Sequence, residues 1–207
     1  MDTIIGKKFW NSKIEEIIHT PRVWKNQTRP DPNNRGTDWH LTGNGVNWLY
    51  GLYEMIEENF EKDSILVEIG SFSGVSTSMF ACVCEFVYAV DPWSDYSEIN
   101  SGFLNQAESE FDNRMKQYSN VEKIKLKSED AVKLFPNESV DVVYIDGEHK
   151  YESVLFDIQA WLPKIVKGGL LCGHDYIEDG IQKALKNTFP NHTFNMYWDS
   201  SWVYKKQ

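Results

Sequence analysis

The stretches VDVVYIDGEHKY (residues 140–151) and GGLLCGHDY (residues 168–176) largely determine the fold of this chain. Each contains a short apolar run that stops at a turn, after Ile145 and after Cys172, which is typical of a buried strand. Between the two runs, apolar residues recur at three- and four-residue spacing over 151–165, which predicts a helix packed by one face. The predicted unit is strand, helix, strand.

Four side chains that can hold a metal or move a proton follow the two predicted strands. Asp146 and His149 come after the first strand, and His174 and Asp175 come after the second. A helical crossover joins parallel neighbours, so the carboxyl ends of these strands should lie side by side, about 4.8 Å apart. Ligands of open α/β sheets bind along that edge. We therefore expect the four donors to converge at a ligand site.

Composition and charge limit the possible partners. A chain of 207 residues suits one domain with a sizeable core. The formal net charge of -10 argues against a nucleic-acid partner, because binding to phosphates depends on Lys and Arg. Three cysteines without zinc-site spacing favour a reducing compartment. No stretch approaches the ~20 apolar residues of a membrane span, so we expect a cytoplasmic protein without a membrane partner.

The N-terminal part of the sequence differs from the rest. Residues 1–60 lack the alternating strand and helix pattern of residues 61–207, so we predict an N-terminal helical extension or lid followed by one α/β domain. The extension contains Trp24, Trp39 and His40. Its aromatic character suits a lid that excludes water from a site, and an arm in a homo-oligomer is the alternative.

A glycine turn follows the first predicted strand of the α/β domain. Residues 65–69 form an apolar run, and the turn G-S-F-S-G from Gly70 to Gly74 leads into a helix. Such a turn lets a ligand approach the backbone, and Asp91, after the next predicted strand, can accept hydrogen bonds from ribose hydroxyls. The spacing is not G-x-G-x-x-G, and the missing third glycine disfavours a pyrophosphate. The ligand expected here is a nucleoside without a diphosphate.

Alternating strands and helices over residues 61–207 predict a doubly wound, Rossmann-like α/β fold with a seven-stranded sheet. The last two strands, residues 193–197 and 202–204, are separated by the turn-like Asp199-Ser200-Ser201. They are predicted to form a C-terminal antiparallel hairpin, which makes the sheet mixed. Asp157 is expected on the polar face of the helix between the two organising strands, and reaching back to the site is its alternative role.

Three motifs, E-I-G-x-x-x-G, I-D-G-x-H-x-Y and G-G-x-x-x-G-H-D-Y, resemble those of class I methyltransferases that use S-adenosylmethionine. They are similar to a subgroup that includes metal-dependent O-methyltransferases of sugars, macrolides and catechols. The resemblance implies that S-adenosylmethionine is the cofactor. The contacts that it implies are Glu68, Gly70, Ser71 and Gly74 at the methionine portion, Asp91 at the ribose, Ser128 and Glu129 near the adenine, and Asp146. A turn acid at Asp91 and a helix cap at Ser128 are the structural alternatives.

Methyl transfer to a hydroxyl requires an oxygen that has lost its proton. A divalent cation can lower the hydroxyl pKa, and a base can accept the proton. We predict Asp146, His174 and Asp175 as metal ligands, with Mg²⁺ or another divalent cation bound, and His149 as the catalytic base. The similar enzymes carry two acids, or an acid and an amide, after the later strand. His174 departs from that pattern, and orienting a ligand is its alternative role.

The predicted function is therefore an S-adenosylmethionine-dependent O-methyltransferase, metal-assisted, that acts on a small molecule or a sugar. The alternatives are a metal-free methyltransferase, a dinucleotide oxidoreductase, an N-methylase of nucleic acid or protein, and a non-catalytic cofactor-binding module. The glycine spacing disfavours the oxidoreductase. Such N-methylases often carry Asn/Asp-Pro-Pro-aromatic where this chain has Asp146-Gly147-Glu148-His149.

Overall fold

The computed structural model describes residues 8–19, 49–94 and 101–207, and its strands form one mixed sheet. The strands in these ranges are β1 (Ile65–Ile69), β2 (Phe86–Val90), β3 (Val121–Ile124), β4 (Val140–Ile145), β5 (Ile165–Gly173) and β6 (Trp202–Lys205). They lie in the order β3-β2-β1-β4-β5-β6, and all pairs are parallel except β5 with β6. The predicted Rossmann-like α/β arrangement is confirmed.

Helices connect most of the strands. Those in the described part of the chain are α1 (Ser12–His19), α2 (Leu49–Asn59), α3 (Val75–Ala81), α4 (Ser101–Met115), α5 (Ser128–Ala131), α6 (Tyr151–Trp161) and α7 (Asp179–Thr188). None of these helices combines the length and the apolar character that crossing a lipid bilayer requires. Trp24, Trp39 and His40, which were predicted to lie in a lid, fall outside the described residues.

The strand order creates a crevice at the carboxyl edge of the sheet. The chain runs outward from β1 to β2 and β3, and then returns to place β4 on the other side of β1. Connections therefore leave β1 and β4 in opposite directions, and ligands of such sheets bind at this switch point. The residues that directly follow the two strands are Gly70 and Asp146.

Two cores cover the two faces of the sheet, because successive side chains of a strand point to opposite faces. On β1, Leu66 lies in the core formed with α1, α2 and α3, whereas Val67 and Ile69 lie in the core formed with α6 and α7. The first core includes Ile14 of α1 and Ile56 of α2, each with no exposed surface. The N-terminal helices thus pack on the same sheet that carries the candidate site.

The predicted count of seven strands is wrong, because the structure forms a sheet of six in the described ranges. Residues 193–197 do not form a strand, and only Met196 bridges to Trp202. The backbone of Tyr197 instead forms local hydrogen bonds. The Tyr197 N–H donates to the Ser201 carbonyl at 2.9 Å, and the Ser200 N–H donates to the Tyr197 carbonyl at 2.9 Å. The C-terminal antiparallel pair is therefore β5 with β6.

Asp157 is buried rather than exposed on a polar helix face, and its relative exposure is 5%. The Ser128 hydroxyl donates to its carboxylate, and the Trp161 Nε1–H donates to the Ser128 oxygen at 2.8 Å. Burial raises the pKa of Asp157 to about 6, even though the hydrogen bond from Ser128 opposes that shift. The carboxylate therefore joins α5 to α6 from within the protein.

Asp157→Asn should change the pH dependence of stability. The pKa of an unfolded aspartate is about 3.9, so between about pH 4 and pH 6 the folded protein holds a proton that the unfolded chain has released. That contribution to stability is present at low pH and is lost as pH rises through 6. Relative to wild type, the variant should gain about 2–3 kcal/mol in unfolding free energy between pH 4 and pH 7.

Urea unfolding at a series of pH values measures this difference. Asp63→Asn, at an exposed aspartate, is the matched control and should show no such trend. Parallel pH curves for Asp157→Asn and wild type would contradict the burial of an ionisable carboxylate at this position.

Candidate functional site

The candidate site lies where β1, β4 and β5 end. Hydrogen bonding continues beyond the strands, since the Asp146 N–H donates to the Ile69 carbonyl at 2.8 Å and the His174 N–H donates to the Ile145 carbonyl at 3.1 Å. These bonds fix the backbone of Asp146 and His174 relative to the sheet. The expected side-by-side placement of the two strand tips is therefore present.

The glycine turn approaches the tip of β4 closely. Gly70 has a φ of 91°, and a Cβ on it would lie 2.1 Å from the Asp146 carbonyl oxygen. A side chain at position 70 would therefore collide with backbone, not with a movable side chain. Gly74, at the start of α3, also has a positive φ, of 77°. The turn is thus a backbone surface that directly adjoins Asp146, as a site for a closely bound ligand requires.

Two polar side chains lie under this turn. Glu68 has no exposed surface, and the hydroxyls of Ser76 and Thr77 donate to its two carboxylate oxygens. Burial raises the pKa of Glu68 to about 7, against the effect of these hydroxyl hydrogen bonds. The Ser71 hydroxyl is buried and near enough to lower that pKa, but it makes no hydrogen bond of ordinary geometry within the described ranges. Within the described ranges, the Ser71 hydroxyl therefore lacks a hydrogen-bond partner, whereas both Glu68 oxygens are engaged by hydroxyls.

Asp91 connects the glycine turn to the loop after β2. Its Oδ2 accepts the Phe72 N–H at 2.9 Å and its Oδ1 accepts the Trp93 N–H at 2.7 Å. The Trp93 indole N–H in turn donates to the Phe72 carbonyl at 2.7 Å. Asp91 is 2% exposed. A ribose would therefore share this carboxylate with two backbone donors, and the carboxylate also stabilises the turn.

The two residues predicted near an adenine ring have different surroundings. Ser128 is engaged by Asp157 and Trp161, so its hydroxyl has a structural role. Glu129 follows it in the first turn of α5 and is exposed. Of this pair, Glu129 is the one whose side chain faces solvent.

The acids and imidazoles after β4 and β5 do converge. Ligand atoms of Asp146, His149 and Asp175 all lie within 4.8 Å of one another. His149 Nε2 lies 3.0 Å from Asp175 Oδ2, and His174 Nδ1 lies 3.2 Å from the same oxygen and 3.9 Å from Asp146 Oδ1. We call Asp146, His149, His174 and Asp175 the tip cluster. The two aspartates thus face one common space.

The tip cluster balances its charges internally. Burial raises the pKa of Asp146 to about 7, although both imidazoles act to lower it. Burial also disfavours the charged form of Asp175, but hydrogen bonds from His149 and His174 outweigh it and hold the Asp175 pKa well below its usual range. Burial lowers the pKa of His174, but Asp175 and the other nearby carboxylates raise it to about 10. The hydrogen bond to Asp175 is the main reason that the His149 pKa is raised.

Backbone strain accompanies this arrangement. Asp175 has a φ of 55°, in the left-handed region that aspartate tolerates better than most residues. Strained backbone of this kind concentrates at functional sites, where the surroundings hold it in place. Here it lets one carboxylate oxygen face both His149 and His174.

Sequence reasoning missed one acid near the tip cluster. Asp199 is 2% exposed, and its Oδ2 lies 3.7 Å from His174 Nε2. The sequence offered only the Asp-Ser-Ser stretch before the last strand, which is also an ordinary turn signal. Its place beside His174 depends on the packing of a distant loop.

Comparisons with known proteins agree with the fold described above. A family model described as Methyltransferase domain matches residues 67–176, which is more than half of the chain. An uncharacterized protein, R132, from Acanthamoeba polyphaga mimivirus is 30% identical over 148 residues, which is 66% of this chain and 63% of that protein. An alignment with an uncharacterized protein, y4gI, from Sinorhizobium fredii covers 13% of that protein. The matched region is less than two thirds of either relative.

Two solved structures share the fold. An rRNA methylase from Streptococcus thermophilus superimposes with a TM-score of 0.57 at 19% identity, over 77% of this chain and 96% of that chain. A putative methyltransferase from Streptococcus mutans in complex with SAH (S-adenosylhomocysteine) has a TM-score of 0.56 at 16% identity, over 75% and 94% of the two chains.

The matched residues 67–176 run from β1 to the end of the tip cluster and include the glycine turn. The chain therefore belongs to the Methyltransferase domain family, with the Rossmann-like fold of class I S-adenosylmethionine methyltransferases.

Proposed function

We propose that this protein transfers a methyl group from S-adenosylmethionine to a hydroxyl oxygen of a small molecule or a sugar. The observation that carries the proposal is the contact between the glycine turn and the tip cluster: Gly70 adjoins the backbone of Asp146, whose side chain belongs to the cluster. A cofactor on the turn would thus lie next to the groups that can activate an acceptor.

The residues of the turn fit the cofactor that the family implies. S-adenosylmethionine supplies an electrophilic methyl group on its sulfonium. Gly70 and Gly74 give the turn its left-handed backbone, which we propose for the methionine portion, and the Ser71 hydroxyl above the buried Glu68, unpartnered in the described part of the chain, is suited to its polar groups. Asp91 is proposed to accept hydrogen bonds from the ribose hydroxyls. The exposed Glu129 is proposed to lie beside the adenine.

His149 is the proposed base. Its side chain is 42% exposed, so an acceptor hydroxyl can reach it. Asp175, 3.0 Å away, orients the ring and stabilises the positive charge that forms when the imidazole takes the hydroxyl proton. Lys150, the neighbouring candidate, pairs with Glu148. His149 and Asp175 thus form an imidazole–carboxylate pair of the kind that suits a general base.

A divalent cation is a further part of the proposal. The carboxylates of Asp146 and Asp175 lie within 4.8 Å of one another and are oxygen donors suited to Mg²⁺ or Mn²⁺, and an ion there would lower the pKa of an acceptor hydroxyl. His174, which we predicted as a ligand, has its Nδ1 directed at both carboxylates. A nitrogen that donates its proton to a carboxylate does not coordinate a metal, so in this geometry His174 orients the two carboxylates, and His149, paired with Asp175, remains the proposed base.

A small acceptor is favoured over nucleic acid. The net charge of -10 opposes binding to a phosphate backbone. The rRNA methylase from Streptococcus thermophilus shares 19% of aligned residues, and that likeness is one of fold alone.

The cofactor assignment predicts a specific effect of Gly70→Ala. Wild type should melt at a higher temperature with S-adenosylmethionine present, because a ligand that binds only the folded state stabilises it. In the variant, the added methyl group meets backbone oxygen and distorts the turn, so the cofactor Kd should rise at least about tenfold, or 1.4 kcal/mol.

Isothermal titration with S-adenosylhomocysteine measures this effect. Gly168→Ala is the matched control, since Gly168 also has a positive φ, of 81°, but has no atom within 4 Å of an added Cβ. It carries similar backbone strain away from the site and should bind the cofactor normally. A wild-type protein that shows no thermal shift would refute the cofactor assignment.

The metal assignment predicts that Asp146→Asn lowers metal-dependent turnover by at least about tenfold, because a neutral amide is a poorer ligand than a carboxylate. Turnover is measured with labelled S-adenosylmethionine and a panel of catechols and sugars, with and without Mg²⁺ or Mn²⁺. Asp179→Asn, at an exposed acid of α7, is the control. If Asp146→Asn keeps full activity, or if the cations have no effect on wild type, the metal has no part in the reaction.

The base assignment predicts that His149→Gln reduces kcat by about 10²–10⁴-fold, the usual contribution of a general base. Cofactor affinity should not change, since the imidazole is assigned to the acceptor. His192→Gln, at an exposed histidine packed against Phe194, is the control. A wild-type kcat in the His149→Gln variant would show that another group acts as the general base.

A further inference from the structure

We infer that Asp199 is a positioning residue that holds the His174 imidazole in line with the two carboxylates of the tip cluster. The inference rests on the proposed function of that cluster. His174 Nδ1 lies 3.2 Å from Asp175 Oδ2, and His174 Nε2, on the opposite side of the ring, lies 3.7 Å from Asp199 Oδ2. Both ring nitrogens thus face a carboxylate, and rotation of the ring would break both pairs.

Asp199 is itself held rigidly. Its Oδ1 accepts the Ser201 N–H at 3.0 Å, and its Oδ2 accepts the Ser201 hydroxyl at 2.8 Å. The side chain is 2% exposed. Burying a carboxylate costs free energy unless hydrogen-bond donors and a positive partner surround it. The His174 imidazole lies within ion-pair distance of Asp199. The two serine donors therefore fix the oxygen that faces the ring.

Helix α2 braces Asp199 from the other side. A Cβ on Gly51 would lie 2.4 Å from the Asp199 nitrogen and 2.6 Å from its Oδ1. Near the end of the same helix, the Tyr197 hydroxyl donates to Glu58 at 2.7 Å and accepts from Asn59 at 2.9 Å. The loop that carries Asp199 is thus packed on α2 and hydrogen-bonded to it. Asp199 lies between α2 and His174 of the tip cluster.

Loss of the Asp199 charge has a local consequence. With Asn at position 199, the amide oxygen can still accept the Ser201 N–H, and the amide nitrogen then faces His174 Nε2 with hydrogens of its own. The charged partner on the Nε2 side of the ring is then lost, and only the contacts of Nδ1 with Asp175 and Asp146 still orient the imidazole. Asp199→Ala removes the charge and the serine bonds together, and Ser201→Ala weakens the serine bonds while keeping the charge.

Histidine side-chain NMR tests this directly, without an acceptor. The chain has five histidines, and ¹⁵N-histidine labelling with a His174→Gln reference assigns the His174 ring. Asp199→Asn should shift both ring nitrogens of His174. His192 should not change. Gly51→Ala, which displaces Asp199 without removing its charge, should shift the same His174 signals.

The outcomes separate this inference from the proposed function. If wild type fails to bind S-adenosylhomocysteine but Asp199→Asn still moves the His174 signals, the function fails and the positioning role stands. If folded Asp199→Asn leaves the His174 ring unchanged, or only Asp199→Ala alters it, Asp199 merely supports its loop and the inference is overturned. Where the panel of acceptors gives turnover, Asp199→Asn should lower kcat about tenfold at unchanged affinity for S-adenosylhomocysteine.

Discussion

The close approach of the Gly70 turn to the Asp146 backbone is the constraint on which the rest of the site depends. The two segments follow neighbouring strands, and the parallel register of β1 and β4 brings them to the same height at the sheet edge. Because no side chain fits between them, the backbone of the turn directly adjoins the tip cluster. A cofactor bound on the turn, as proposed, would therefore lie beside the tip cluster.

A second constraint is the mutual neutralisation of buried acids. Glu68, Asp146 and Asp175 lie near one carboxyl edge, and three carboxylates in a poorly solvated place would repel one another. His149 and His174 relieve that repulsion by pairing with Asp175 and, for His174, by facing Asp146 as well. The imidazoles thus stabilise the site, since a buried charge without a partner is strongly destabilising.

Much of this could be predicted from the sequence because it depends on local pattern and general topology. Buried strands ended by turns identified β1, β4 and β5, and the rule for parallel crossovers predicted that Asp146, His149, His174 and Asp175 would lie together. What could not be predicted depends on tertiary packing. Residues 193–197 have strand-like composition, yet their backbone bonds locally and to no full strand. Asp157 and Asp199 look like exposed polar residues in sequence, and only their packed neighbours bury them.

The link between Tyr197 and α2 also bears on how the protein folds. The hydrogen bond from Tyr197 to Glu58 joins positions 139 residues apart, and contacts so distant in sequence form slowly because a long loop must close first. The glycine turn, by contrast, relies on the nearby Ser76 and Thr77. As the chain leaves the ribosome, the glycine turn and its hydroxyl partners are available early. The contacts of Asp199 with His174 and with α2 must wait until residues 197–201 have emerged.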